Sequence, residues 1–209
     1  AKTLIRDYLE RNKIPGLRVE IAFQQSMKGV GDAVLTGIGV NAGGPVLAAF
    51  GDCAILRPPH EVGPSPARRL VEAFAAAHAE AAVLCERVPQ DRVHLYGVLD
   101  PQGSVSDNST EPFEVRGIVE KPAAGSAPSN WVVAARWLLG PAAVALLRRQ
   151  EPGQNGEIGV TEAIAWLLRQ GGRVVAVPLA PSERRCDVGN WRTLLSAQVL
   201  AALWDGEYG

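Results

Sequence analysis

The chain is poor in the residues that most often carry redox, metal and disulfide chemistry. Cys53, Cys85 and Cys186 are odd in number and have no CxxC spacing. That excludes a disulfide framework and a zinc site and leaves reduced thiols of a cytoplasmic protein. His60, His78 and His94 show no metal-ligand spacing, and His78 sits in an alanine-rich stretch. No apolar run approaches the roughly 20 residues that span a bilayer. The opening "AKTLIRDYLERNKIPG" carries acids and is neither a signal nor a transit peptide. Neither charge sign dominates: 21 basic residues stand against 22 acidic ones, for a net charge of -1. Nucleic acid is therefore not an expected partner, and any phosphate must be held by local placement. Gly-x-Ser-x-Gly, Walker A and the full dinucleotide fingerprint are all missing, as is a credible Cys/His pair. Serine hydrolase, P-loop and nicotinamide chemistry fall with them.

What remains is a globular profile: 209 residues, 47% hydrophobic and 21% charged, enough for one full core. A short opening helix is predicted up to Pro15 and Gly16, followed by an alternating strand "RVEIAF" and a glycine-bearing loop. "PVLAAFGD" reads as a buried parallel strand, "ARRLVEAFAAAHAE" as a helix and "AAVLCERV" as a strand. "HLYGVLD", "VRGIVE" and "NWVVAARWLL" follow as strands, "PAAVALLRRQ" as a helix opened by proline, and "GEIGVTEAIAWLLRQGG" as loop, helix and glycine stop. "RVVAVPLA" is a strand, "RRCDVGN" a strand end and turn, and "WRTLLSAQVLAALW" a closing helix. This alternation predicts a single α/β domain over 1–209, Rossmann-like and three-layered, on a mainly parallel mixed sheet. The five tryptophans fit core and interface. Trp204 suits either a homo-oligomer contact or a docked terminal helix.

In such sheets ligands gather at the carboxyl ends of strands. Gln24, Asp52, Gly97, Glu120 and Asp187 all follow or end apolar runs and form a predicted rim. Asp52 either caps the next element or holds a metal, and Asp187, before Gly189 and Asn190, either makes a turn or does the same. Together they suit Mg²⁺, which takes one or two carboxylates plus phosphate oxygens. Gly29 and Gly31 form a Gly-x-Gly whose free N–H groups suit a base or phosphate. Gln24 reads a base edge or satisfies nearby backbone. Glu120 and Lys121 are either solvated turn charges or ligands, the carboxylate for vicinal sugar hydroxyls and the ammonium for a phosphate. Neighbours on a strand point to opposite faces, so one ligand meets both only if the backbone turns before Pro122.

The ordered runs "KGVGDAVL", "FGD", "YGVLD", "GIVEKP", "APSNWVVAARWLL", "GEIGVTEAI" and "CDVGN" span most of the chain. As a set they resemble the sugar nucleotidyltransferases, nearest to the bacterial uridylyltransferases that act on glucose 1-phosphate. The resemblance implies that Gln24 and the Gly29 backbone contact uracil, and that Asp52 and Asp187 hold Mg²⁺. It implies that the Gly97 backbone, Glu120 and Asn130 bind the sugar and Lys121 its phosphate. Catalysis would rest on Lys121, Asp52 and Asp187, forming UDP-glucose and pyrophosphate from UTP and glucose 1-phosphate. The family's first strand and glycine-rich loop, with an Arg and a Lys for the triphosphate, have no counterpart here. The resemblance therefore implies an N-terminally incomplete chain or a non-catalytic, sugar-nucleotide-binding homologue. A thymidylyltransferase acting on glucose 1-phosphate is the alternative within the family. A glycosyltransferase is disfavoured, because "GDCA" lacks a second Asp.

Overall fold

The computed structural model describes residues 2–39, 43–153 and 156–205. Helix α1 (Lys2–Arg11) is followed by residues 18–23, which form no strand despite their alternation. Alternation supplies an amphipathic ribbon, but a strand also needs a partner for its N–H and C=O groups. Helix α2 (Gly29–Ile38), β1 (Val46–Ala49), β2 (Cys53–Leu56), α3 (Pro66–Ala76) and β3 (Ala81–Arg87) come next. A 3₁₀ turn (Gln90–Leu95) leads into β4 (Gly97–Pro101), β5 (Phe113–Glu120) and β6 (Trp131–Leu139). Helices α4 (Pro141–Arg149) and α5 (Val160–Arg169), strands β7 (Val174–Pro178) and β8 (Arg184–Asp187), and α6 (Trp191–Trp204) complete it. None of the described helices is long and apolar enough to cross a membrane.

The main sheet runs β1-β6-β3-β7-β5-β4, and β4 also pairs with β6. The last pairing closes β6, β3, β7, β5 and β4 into a five-stranded barrel. This corrects the expectation of a Rossmann-like, mainly parallel sheet: only β3–β7 is parallel, and every other pairing is antiparallel. Two physical facts account for the difference. A parallel neighbour needs a crossover of about a dozen residues or more, usually a helix, whereas β4 returns directly into β5 through residues 102–112. A closed ring of five also cannot alternate throughout, so one parallel pair is obligatory, and β3–β7 is that pair.

Apolar runs do not report strand direction: β6 is mostly buried yet has only antiparallel neighbours, and β1, expected as a buried parallel strand, pairs antiparallel with β6 and leaves Leu47 exposed. In β3, Ala81, Val83 and Cys85 face a core shared with α4 and α5, built around Trp137, Leu147 and Ile164. Ala82 and Leu84 face a second core under α3, with Leu70, Val175 and Val177. Helix α3 is started by Ser65, whose side chain accepts from the Arg68 N–H, and by Pro66 in the first turn. Asn190 caps α6 in the same way, accepting from the N–H groups of Arg192 and Thr193.

A separate antiparallel ribbon, β2–β8, matters most for the site. Its register sets Cys53 opposite Asp187 and Leu56 opposite Arg184. Two carboxylates from residues 52 and 187 therefore emerge at one end of it.

Candidate functional site

A cleft of about 530 Å³ opens between this ribbon, the β4–β5 pair and the start of α5. Asp52, Gly97, Glu120, Lys121 and Asp187 all line it. Gly97 is the first residue of β4, not at a strand's carboxyl end as the rim picture has it. It lies directly opposite Glu120, the last residue of β5, because antiparallel neighbours bring a beginning and an end together.

Asp52 and Asp187 converge. A β-carbon on Gly189 would lie 3.2 Å from Asp187 Oδ1 and 3.9 Å from Asp52 Oδ2, so one point is within 4 Å of both carboxylates. Asp187 Oδ1 accepts from the Gly189 N–H at 2.8 Å, and the Asp52 carbonyl accepts from the Val188 N–H at 2.7 Å. Among the described residues no group of three or more His, Cys, Asp or Glu comes together. Two hard oxygen donors with room for other oxygens match what Mg²⁺ asks of a protein, since that ion keeps waters and substrate phosphates as its remaining ligands.

At Lys121 the chain turns: its φ of 42° lies in the left-handed region, and its N–H donates to the Tyr96 carbonyl at 3.0 Å. The turn lets Glu120 and Lys121 face one cleft, which adjacent residues of a straight strand cannot do. Thr161, in the first turn of α5, donates its hydroxyl to Glu120 Oε2 at 2.8 Å.

Four expected residues, Gln24, Gly29, Gly31 and Asn130, lie outside the lining. Gln24 Nε2 donates to Asp32 Oδ2 at 2.7 Å and to the Gly29 carbonyl at 3.2 Å, while the neighbouring Val30 lines the cleft. Gly29 and Gly31 are required by close packing. A β-carbon at either would come within 2.8 Å of the Ile158 carbonyl oxygen. The Gly31 N–H also donates to that oxygen at 2.8 Å. Asn130 precedes β6, three residues before Val133, which is the β6 residue beside Gly97 in the cleft.

Sequence reasoning missed Thr161 and Arg185. Arg185 lines the cleft, pairs with Glu86 and lies over the Tyr96 ring at 4.6 Å. Residues two apart on a strand share a face, so Asp187 in "RRCD" already pointed to Arg185. Thr161 gave a weaker signal, a hydroxyl in the first turn of a helix whose entry loop meets the strand ends. Cys53 also borders the cleft, but burial pushes its thiol up, despite the opposing pull of Arg185 and Arg136. A raised thiol pKa favours the neutral form over the nucleophilic thiolate.

The chain has counterparts among known proteins. The profile of the family described as nucleotidyl transferase matches residues 1–202. Over 153 residues the chain is 32% identical to the UTP–glucose-1-phosphate uridylyltransferase of Streptococcus pneumoniae, covering 73% of this chain and 50% of that protein. It is 28% identical over 179 residues to a putative UTP–glucose-1-phosphate uridylyltransferase of Methanocaldococcus jannaschii, covering 84% and 57%. The UTP-bound UGPase from Acinetobacter baumannii superposes with a TM-score of 0.77 at 26% identity, covering 100% of this chain and 71% of that one. A UDP-glucose pyrophosphorylase complexed with UDP-glucose gives 0.74 at 26% identity, covering 86% and 64%. The chain spans about half the length of the curated relatives it matches. With its sequence match across residues 1–202 and a fold shared with these enzymes, the chain belongs to the nucleotidyl transferase family.

Proposed function

We propose that this chain forms the cleft of a Mg²⁺-dependent uridylyltransferase that joins UTP to glucose 1-phosphate and releases pyrophosphate. The observation that carries this reading is the meeting of Asp52 and Asp187 with the Glu120–Lys121 pair across one cleft. Similar proteins that are named for this activity, or that hold UTP or UDP-glucose, support it.

Asp52 and Asp187 would hold Mg²⁺, which when bound supplies positive charge to the nucleotide's phosphate oxygens. Glu120 accepts from sugar hydroxyls through Oε1, since Thr161 already occupies Oε2. Gly97 lets the sugar approach the backbone, and Lys121 meets the sugar phosphate as a compact point charge. Gln24 and Gly29 stand at the α2 end beside Val30, where uracil would lie. Donating Nε2 to a base edge there would require Gln24 to give up Asp32 or the Gly29 carbonyl. A phosphate oxygen of the sugar attacks the α-phosphorus, one P–O bond forms, and the bond to the departing pyrophosphate breaks. No proton transfer or covalent protein intermediate is needed. The residues contribute alignment and charge neutralisation.

The test is pyrophosphate release with Mg²⁺ and glucose 1-phosphate, comparing UTP with dTTP. Asp52→Asn and Lys121→Ala are each expected to lower the UTP rate by about 100-fold or more while thermal stability is kept. Unchanged turnover in both variants, or a preference for dTTP, overturns the reading.

A further inference from the structure

The turn that carries Asp52 is held from behind by a single side chain. Residues Phe50 to Cys53 close a β-turn through the Cys53 N–H and the Phe50 carbonyl at 3.2 Å. Arg136 Nη2 donates to the Cys53 carbonyl at 2.9 Å. Its Nη1 donates to the carbonyls of Ala135 at 2.9 Å and Phe50 at 3.5 Å. The Phe50 N–H in turn donates to the Ala135 carbonyl at 3.3 Å. One planar guanidinium thus reaches both ends of the turn, a geometry that an ammonium cannot reproduce.

Strand β6 is deformed where this happens. β3 pairs Val83 with Trp137 and next pairs Cys85 with Val133, so Leu84 faces three residues of β6. The middle one, Ala135, has a φ of 55°, a conformation that a non-glycine residue keeps only where its surroundings impose it. Such bulges re-aim side chains beside sites. Arg136 is not among the residues lining the cleft. Among the described residues its hydrogen bonds go to backbone carbonyls.

We infer that Arg136 is a positioning residue, whose guanidinium locks the Phe50–Cys53 turn so that the Asp52 carboxylate is held facing Asp187. This inference rests on the metal-holding role proposed for Asp52. Arg136 acts through the turn and touches neither substrate nor metal.

The experiment measures Mn²⁺ affinity by isothermal titration with UDP-glucose present, and UDP-glucose affinity without metal, for Arg136→Met, Arg136→Lys, Ala135→Gly and Asp52→Asn. Groups that orient a metal ligand typically change metal affinity by about 10- to 100-fold. Arg136→Met is therefore expected to weaken Mn²⁺ binding by at least ~10-fold, with metal-free UDP-glucose affinity within about twofold. Arg136→Lys is expected to fall between wild type and Arg136→Met, and it decides the matter alone if Arg136→Met does not fold. Ala135→Gly keeps the guanidinium and is expected to retain wild-type metal affinity. Unchanged Mn²⁺ affinity in Arg136→Lys and Arg136→Met, with Asp52→Asn weakened, overturns the inference alone. Equal loss of metal-free UDP-glucose binding in the arginine variants also overturns it, since that marks a general loss of structure. Unchanged Mn²⁺ affinity in Asp52→Asn instead overturns the metal reading beneath it.

Discussion

Glu120 shows how one side chain is prepared for a ligand. Across the β4–β5 pair it faces Gly97, and a β-carbon there would lie 3.0 Å from its Oε2. Glycine therefore leaves room for the carboxylate to bend over the strand. Thr161 then fixes that oxygen with a 2.8 Å hydrogen bond. Hydrogen bonds to charged groups contribute about 1.5–3 kcal/mol, and solvent at this open cleft places the value toward the lower end. Fixing Oε2 would leave Oε1 oriented for the sugar hydroxyls proposed to bind there and would lower the entropy cost of ordering the side chain on binding. Thr161→Val is expected to weaken UDP-glucose binding by about tenfold, while Thr161→Ser restores it. Isothermal titration of the two variants checks this. Equal affinities for Val and Ser would assign the site of Thr161 to packing alone.

The β2–β8 ribbon carries Asp187 and follows directly on Asp52, the two aspartates proposed to hold the metal, and it is anchored at its far end. Glu183, which precedes β8, receives two hydrogen bonds from Arg69 of α3, each 2.8 Å, and one from the Ala180 N–H at 2.8 Å. The Glu183 side chain is 1% exposed and that of Arg69 23%. Burial pushes the Glu183 carboxyl up, but the Arg69 hydrogen bonds, the Ala180 N–H and the charges of Arg69 and Arg57 together hold it below the ordinary value of 4.5. A lowered folded pKa means that the stabilisation is complete above 4.5 and is lost as the pH falls through the lowered value. Glu183→Gln is expected to cost about 3 kcal/mol near neutral pH, the low end for a broken buried pair because Arg69 keeps some solvent. The gap from wild type is expected to shrink as the pH falls below 4.5 and through the lowered value. Urea unfolding at both pH values measures it, and a pH-independent gap would remove the carboxylate from the account. Part of this scale was legible in the sequence: Pro141 marks the start of α4 by local chemistry alone, whereas Ser65–Pro66 and Asn190, read as loop and turn, prove to open α3 and α6. The ribbon was not, because "CAIL" and "RRCD" are four-residue strands far apart in the chain, and nothing local in either names the other. Sheet direction was hidden for a related reason. A strand covered on both faces is continuously apolar whichever way its neighbours run.

At the scale of the molecule, the candidate site straddles parts of the barrel that are joined unequally. β3 shares six residue pairs with β6 and five with β7, and residues 81–85 are fully buried. The β4–β5 hairpin, which carries Gly97, Glu120 and Lys121, is stitched to the rest more lightly. It meets β6 through Val98↔Val132 alone, and β7 through Phe113↔Ala176 and Glu114↔Val175. The side of the cleft proposed to take the sugar thus sits on the seam with the fewest ladder pairs, while the ribbon beside Asp52 and Asp187 forms its own small sheet. That division explains why the sequence could group Asp52, Gly97, Glu120 and Asp187 on one rim without saying which faces which: their mutual placement is set by closure of the barrel. Segments with few ladder bonds to their surroundings open below the global unfolding free energy. Amides of β4 and β5 are therefore expected to exchange with deuterium faster than those of β3 and β7, and as a cooperative group. A ligand that binds only the closed form adds protection as RT ln(1 + [L]/Kd), about 2.7 kcal/mol at a hundredfold excess over Kd. UDP-glucose with Mg²⁺ is accordingly expected to slow exchange in β4, β5 and the first turn of α5 by up to ~100-fold, and to leave β3 unchanged wherever exchange there is already limited by global unfolding. Protection spread uniformly over the barrel would mean that it opens only as a whole, with the hairpin no weaker than the strands it closes.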